Sequence, residues 1–184
     1  FDEMAPFYEG DIRTLGWDPV SLVEEWTFEI PEDGSVLDVG CGTGLVLAEL
    51  ADGSRRLAGF DLSPKMVELA KKKPELGNVD LKVASAGERW PFGDDGFDRV
   101  IALGVLEFVE DLPAALGEVE RVLQPGGRAL VAVEDHFDWQ GVRRERNEIR
   151  YGRFPLWRRT KEETLESIPD GLEVEALERQ PAYF

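Results

Sequence analysis

The segment Val36–Leu50, VLDVGCGTGLVLAEL, sets Asp38 two residues ahead of glycines at 40, 42 and 44, and a helix-like pattern of leucines follows. Lacking side chains, Gly40, Gly42 and Gly44 let a ligand approach the backbone, and the N–H groups that open the following helix face the same place. The spacing is G-x-G-x-G rather than the G-x-G-x-x-G of a dinucleotide site. Asp38 adds a carboxylate that a pyrophosphate would dislike and a cationic ligand would tolerate. Asp61, closing the next apolar run, is placed to accept hydrogen bonds from ribose hydroxyls.

The elements that position these residues alternate in type. Ser35–Gly40, Arg56–Leu62, Val79–Ser85, Phe97–Leu103 and Arg128–Glu134 read as strands. Gly44–Ala51 reads as a helix, and a second opens with Ser63 as N-cap and Pro64 at its first position, running to Lys73. Leu112, Ala115, Leu116, Val119, Val122 and Leu123 fall at helical spacing, and Pro125-Gly126-Gly127 stops that helix. Residues 141–161 read as a lid-like insertion before a helix near 160–168, and Leu172–Arg179 as a last strand. Such alternation implies an α/β fold, a doubly wound, mostly parallel sheet with helices on both faces. The glycines then lie just past the first strand, where ligands of such sheets bind. A positively charged nucleoside without phosphates suits this pocket, and S-adenosylmethionine is such a molecule.

Three stretches resemble the class I S-adenosylmethionine-dependent methyltransferases of the small-molecule type: VLDVGCGTG, GFDLSPKMVELAKKK, and the continuous run from ERWPFGDDGFDRVIALGVLEF through VEDLPAALGEVERVLQPGGRALV. They come in order over roughly residues 30–135. The resemblance implies a Rossmann-like methyltransferase fold, with residues 1–184 as a single domain, 1–30 as an N-terminal helical cover and 141–161 as the insertion. It implies Gly40, Cys41, Gly42 and Gly44 around the methionine part of the cofactor and Asp38 near its amino group. Asp61 would hold the ribose, Leu62 and Met66 would cover the adenine, and Leu103 would offer a backbone carbonyl. Where relatives carry Asp-Ala-Glu before a Pro-Phe pair, this chain has Ala86-Gly87-Glu88, so adenine recognition falls to backbone or to Ser85, beside Ala86 and Gly87. Phe108 stands where many relatives have histidine, which leaves Glu107 as a substitute base; His136, the only histidine, follows the fifth strand on the ligand side.

The acceptor is less legible. Arg143, Arg144, Arg146, Arg150, Arg153, Arg158, Arg159 and Lys161 crowd the insertion, with Tyr151, Phe154 and Trp157 at every third position. Guanidinium groups hold carboxylates or phosphates in bidentate fashion, and aromatic side chains cover apolar bodies. Arg150, Arg153, Phe154 and Trp157, with Tyr8 from the N-terminal stretch, therefore point to an anionic, partly apolar small-molecule acceptor; the other reading is a solvated basic face. A cofactor-binding module without transferase activity also stays open, as does a nicotinamide-dependent oxidoreductase, which the glycine spacing disfavours.

The balance of 38 acids against 21 bases, a net charge of −17, disfavours nucleic acid as a partner. No apolar run approaches the roughly 20 residues of a membrane span. The single cysteine, Cys41, and the lack of an export signal predict a cytoplasmic setting, and no metal is called for.

Overall fold

The computed structural model describes residues 1–15, 18–25, 30–53, 55–137, 140–150 and 154–179. Its centre is a five-stranded parallel sheet of β1 (Ser35–Val39), β2 (Arg56–Asp61), β3 (Asp80–Val83), β4 (Phe97–Ala102) and β5 (Leu123–Val131), in the order β3-β2-β1-β4-β5. The order reverses between β1 and β4, so the C-terminal ends of those strands open a crevice.

β1 is buried along its whole length, as a central parallel strand covered on both faces must be. Its side chains alternate between layers. Leu37 and Val39 join Phe60, Trp90, Val100, Leu112 and Val119 on one face, and Val36 joins Val46, Leu47, Val67 and Ile101 on the other. Helices α3 (Leu45–Leu50), α4 (Pro64–Ala70) and α5 (Leu112–Val122) cover these faces. Ser63 caps α4 by accepting from the Met66 N–H at 3.1 Å. Asp111 caps α5 from the Ala114 N–H at 3.0 Å, and Leu112, Ala115, Leu116, Val119 and Val122 form its buried stripe.

Helices α1 (Tyr8–Leu15) and α2 (Pro19–Glu25) precede the sheet. Beyond it, β6 (Asn147–Arg150) and β7 (Phe154–Trp157) form an antiparallel pair within the expected insertion. Helix α6 (Lys161–Glu166) follows, opened by a capping box between Thr160 and Glu163.

Two expectations require correction. The strand expected at Leu172–Arg179 is irregular chain, with Val174 and Leu177 about half exposed. Its alternation of apolar and acidic residues mimics a half-buried strand, but Arg128–Glu175 and Arg179–Asp135 ion pairs, not a backbone ladder, tie it to the sheet end. Strand β5 also begins before Pro125-Gly126-Gly127 rather than after it. Leu123 turns extended as soon as α5 ends and pairs with Phe97, and the register shifts before Arg128 joins Arg99.

Candidate active site

The crevice is part of a continuous cavity of about 2290 Å³ that also runs along α5, β5 and residues 168–179, beyond the range of roughly 300–1,000 Å³ for a single small-ligand pocket. Gly40, Gly42, Asp61, Leu62, Met66, Ser85, Ala86, Gly87, Leu103 and Glu107 line it, and the N-terminal segment adds Phe1, Met4, Tyr8 and Ile12.

Its floor is built from the ends of β1 and β2. Asp61 accepts from the Gly42 N–H at 2.9 Å through Oδ2 and from the Ser63 N–H at 2.8 Å through Oδ1, so one carboxylate fixes both the glycine loop and the start of α4. Burial raises its pKa, and these two hydrogen bonds offset part of the rise. Asp38 is buried beneath the loop, and among the described residues nothing donates a hydrogen bond to its carboxylate. Burial, with the charge of Asp61 adding to it, pushes its pKa up to about 8. Burial likewise pushes up the pKa of the Cys41 thiol, which keeps it protonated and inert.

The glycines do different work. A Cβ on Gly42 would meet Tyr8 at 3.5 Å, so this position opens toward the cleft and the N-terminal segment. A Cβ on Gly44 would meet Leu76 Cδ1 at 2.6 Å, which makes Gly44 a close-packing position against the sheet's helical layer. Gly44, Cys41 and the buried Asp38 therefore lie outside the cleft lining, Asp38 behind the loop, while Gly40 shares the lining with Val105.

The N-terminal segment is pinned over the loop at both ends. Asp2 accepts from the Ser63 hydroxyl and from the Lys65 N–H. Glu9 accepts from the Thr43 hydroxyl at 2.8 Å and pairs with Lys73 at 2.9 Å. In the turn beyond β3, Ser85 Oγ accepts from the Gly87 N–H at 3.2 Å. The Ala86 carbonyl accepts from Trp90 Nε1 at 3.1 Å, so a buried tryptophan closes this turn.

The insertion is bolted to the sheet by its arginines. Arg158 is buried and donates to Glu134 at 2.8 Å, to Glu148 at 2.7 Å and to the Glu145 carbonyl at 2.8 Å. Arg159 donates to the carbonyls of Val109 and Glu110, both at 2.7 Å, and Arg146 pairs with Glu163. Arg143 Nε donates to His136 Nε2 at 2.8 Å, which assigns the ring proton to Nδ1. His136 is buried and absent from the cleft lining, so the structure does not bring it to Glu107. Phe154 and Trp157 are half-buried on β7, which packs against the turn Leu106–Phe108. Arg153 and the side chain of Arg150 lie outside the described residues.

Sequence reasoning missed the clasp made by Asp2 and Glu9 and the bolt made by Arg158. All three depend on partners far away in the chain, and no local pattern signals them.

Residues 37–131, just over half of the chain, match the methyltransferase domain family. The chain belongs to this family, the class I S-adenosylmethionine-dependent methyltransferases. It is 36% identical over 145 residues to a ubiquinone/menaquinone biosynthesis C-methyltransferase of Geotalea daltonii, covering 71% of this chain and 60% of the relative. A protein of the same description from Geobacter sulfurreducens is 43% identical over 145 residues, with 71% and 55% covered. The chain thus spans less than two thirds of the length of these relatives. Its fold matches that of an S-adenosylmethionine-dependent methyltransferase from Thermotoga maritima with a TM-score of 0.68 at 24% identity, covering 93% of this chain and 78% of that one.

The family cofactor, S-adenosylmethionine, fits the residues present. Asp38, a buried carboxyl with a raised pKa and no donor among the described residues, calls for a cationic neighbour, and Gly42 in the loop above it lines the cleft. Asp61 keeps lone pairs beyond its two backbone donors, since an ionised carboxylate offers about four. Among the described residues, no helix is long and apolar enough to cross a membrane.

Proposed function

We propose that this protein transfers the methyl group of S-adenosylmethionine to a small-molecule acceptor with an apolar body. The observation that carries the reading is the buried Asp38 carboxyl beneath a glycine loop held by Asp61 at the mouth of the cleft. Asp38 would pair with the cofactor ammonium and Asp61 with the ribose hydroxyls. Leu62, a leucine 56% exposed in the cleft, and Met66 would cover the adenine. The Ser85 hydroxyl, whose oxygen already accepts from Gly87, retains a hydrogen to donate to a ring nitrogen. The Leu103 carbonyl would face the cofactor.

The cofactor supplies a methyl group already activated by its sulfonium. The chain must therefore align the acceptor, exclude water and, for a carbon or amine acceptor, take up a proton. Leu103, Val105, Phe108 and Val109 would offer the acceptor an apolar wall, and Glu107, which lines the cleft beside them, would receive the proton. The named relatives being C-methyltransferases supports a proton-accepting role there.

The anionic half of the acceptor reading has narrower support. Arg143, Arg146, Arg158 and Arg159 are engaged within the protein, while Arg144 and Lys161 line the cleft; an acid group on the acceptor would be held by Arg150 and Arg153 in this reading, with Arg144 and Lys161 as further bases at the cleft.

The test has two stages. Calorimetry is expected to show S-adenosylmethionine and S-adenosylhomocysteine binding in the micromolar range, about −7 to −8 kcal/mol. Radiolabelled S-adenosylmethionine is then supplied with panels of apolar neutral and apolar anionic acceptors. Absence of cofactor binding by folded protein would overturn the reading, and binding without transfer to any acceptor would leave a cofactor-binding module.

A further inference from the structure

Phe1, Phe108 and Phe154 come from three separate elements: the N-terminal segment, the turn after β4, and strand β7. Their half-buried rings meet at one side of the cleft, where Phe1 and Phe108 line it and Phe154 lies behind Phe1, outside the lining. Phe1 stacks on Phe154 with ring centroids 4.0 Å apart and planes 26° from parallel. Phe108 meets Phe1 edge-on at 5.5 Å and 81°, and stands nearly perpendicular to Phe154 at 6.5 Å and 78°. Two fixed rings thus form a right-angled notch, and the ring of Phe1 lies in it.

The walls of the notch are held. Phe154 belongs to a laddered strand that packs on the Leu106–Phe108 turn, and the Phe108 N–H donates to the Val105 carbonyl at 3.1 Å. Arg159 grips the adjoining carbonyls of Val109 and Glu110. Phe1 is held differently. Its carbonyl accepts from the Met4 and Ala5 N–H groups, and Asp2 beside it is anchored on Ser63 and Lys65. With the backbone anchored in this way, rotation about the side-chain bonds of Phe1 is the motion that would take its ring out of the notch while the segment stays docked.

We infer that the notch between Phe108 and Phe154 is the seat of a planar aromatic ring on the acceptor, and that Phe1 fills it until the acceptor displaces it. This rests on the proposed small-molecule acceptor at this end of the cleft. A stacked face and a perpendicular edge select a π ring over a saturated ring of the same size, because the aromatic quadrupole rewards both contacts. The ring now in the seat is a benzyl group, so a single six-membered aromatic ring fits without further change.

Ligand-observed NMR on protein saturated with S-adenosylhomocysteine tests this with p-cresol and its saturated counterpart, trans-4-methylcyclohexanol. The p-cresol should bind about two- to tenfold more tightly than the cyclohexanol, the range that aromatic pairing confers. Phe108→Leu and Phe154→Leu, which keep apolar bulk and should fold, should each weaken p-cresol by a similar factor and leave the cyclohexanol unmoved. Phe1→Ala should tighten p-cresol, because the seat is then empty. Equal binding of the two probes, indifference to the leucine variants, or weakening by Phe1→Ala would overturn the inference. Loss of S-adenosylhomocysteine binding itself is read separately by calorimetry and would strike the cofactor reading instead.

Discussion

Asp61 and Asp38 end neighbouring parallel strands, and the charge of Asp61 adds to burial in pushing the Asp38 pKa up to about 8. At neutral pH Asp38 therefore carries a proton in the unliganded protein. A cationic ammonium placed beside it favours the carboxylate and expels that proton. Cofactor binding near pH 7 should accordingly release protons, and affinity should rise as pH climbs toward about 8 and fall at higher pH, where the ligand's own ammonium loses its proton. Calorimetry in buffers of different ionisation enthalpy measures the release. Binding heats that do not depend on the buffer would place the ammonium elsewhere.

The same group shapes stability. Its folded pKa lies above the unfolded value of about 3.9, so the folded state holds a proton that the unfolded chain gives up. The resulting stabilisation is complete below about pH 4 and is lost as pH rises through about 8. Asp38→Asn, neutral at every pH, should therefore lose less melting temperature between about pH 6 and about pH 9 than the parent protein. Parallel declines in the two proteins would contradict the buried, protonated Asp38.

Asp61→Ala should weaken S-adenosylmethionine by about 1.5–3 kcal/mol, the scale of hydrogen bonds to a charged group. It should also lower stability by about 1–3 kcal/mol, because the Gly42 and Ser63 N–H groups lose their acceptor. Calorimetry and thermal melts separate the two effects. Unchanged affinity would mean that the ribose is held by another residue.

Much of this arrangement was written locally in the chain. The uninterrupted burial of β1, the Ser63-Pro64 start of α4 and the apolar stripe of α5 each follow from a short run of residues. Asp38 and Asp61 could be placed because strand ends and a glycine loop fix their neighbourhood. What sequence could not show is which of three similar glycines faces the ligand. That depends on Tyr8 lying over Gly42 and Leu76 lying behind Gly44, contacts made across the chain. Nor could it show that the basic run of the insertion spends Arg158 on Glu134 and Arg143 on His136, since a charge pattern looks the same whether it is solvated or paired inside. The misread strand at 172–179 belongs here too: alternation describes a strand's faces but does not provide the ladder partner.

The two glycines can be told apart by substitution. Both sit in the left-handed region, with φ of 52° at Gly42 and 74° at Gly44, so alanine costs about 1–2 kcal/mol at either from backbone alone. Gly44→Ala adds a clash with Leu76 Cδ1 and should destabilise more, by about 2–4 kcal/mol in all. Gly42→Ala meets ordinary contact with Tyr8 but projects into the cleft, so it should show the larger loss of cofactor affinity for its loss of stability. Equal ratios of affinity loss to stability loss in the two variants would mean that both glycines serve packing alone.

Arg158 joins the insertion to the sheet, and its removal should free one from the other. Its guanidinium is 5% exposed and lies between Glu134, 14% exposed, and Glu148, 43% exposed. Breaking a buried pair by deleting one partner costs about 3–5 kcal/mol, and the exposure of Glu148 lowers that toward about 2–3 kcal/mol here. Arg158→Leu keeps much of the buried apolar bulk but leaves Glu134 without this partner and the Glu145 carbonyl without its donor. The loss should be local, because β6 and β7 pair with each other and form a sheet of their own. Hydrogen exchange should accelerate in residues 143–150 and 154–160 while β1, β2 and β4 stay protected. Cofactor affinity should hold, since the floor at Asp38, Gly42 and Asp61 does not touch this pair, whereas p-cresol binding should fall as Phe154 loses its fixed position. Arg158→Lys should recover little, because an ammonium cannot span two carboxylates and a carbonyl with the fork of a guanidinium. Uniform acceleration of exchange through the sheet, or full recovery by lysine, would show that Arg158 supports the core rather than holding the insertion over the cleft.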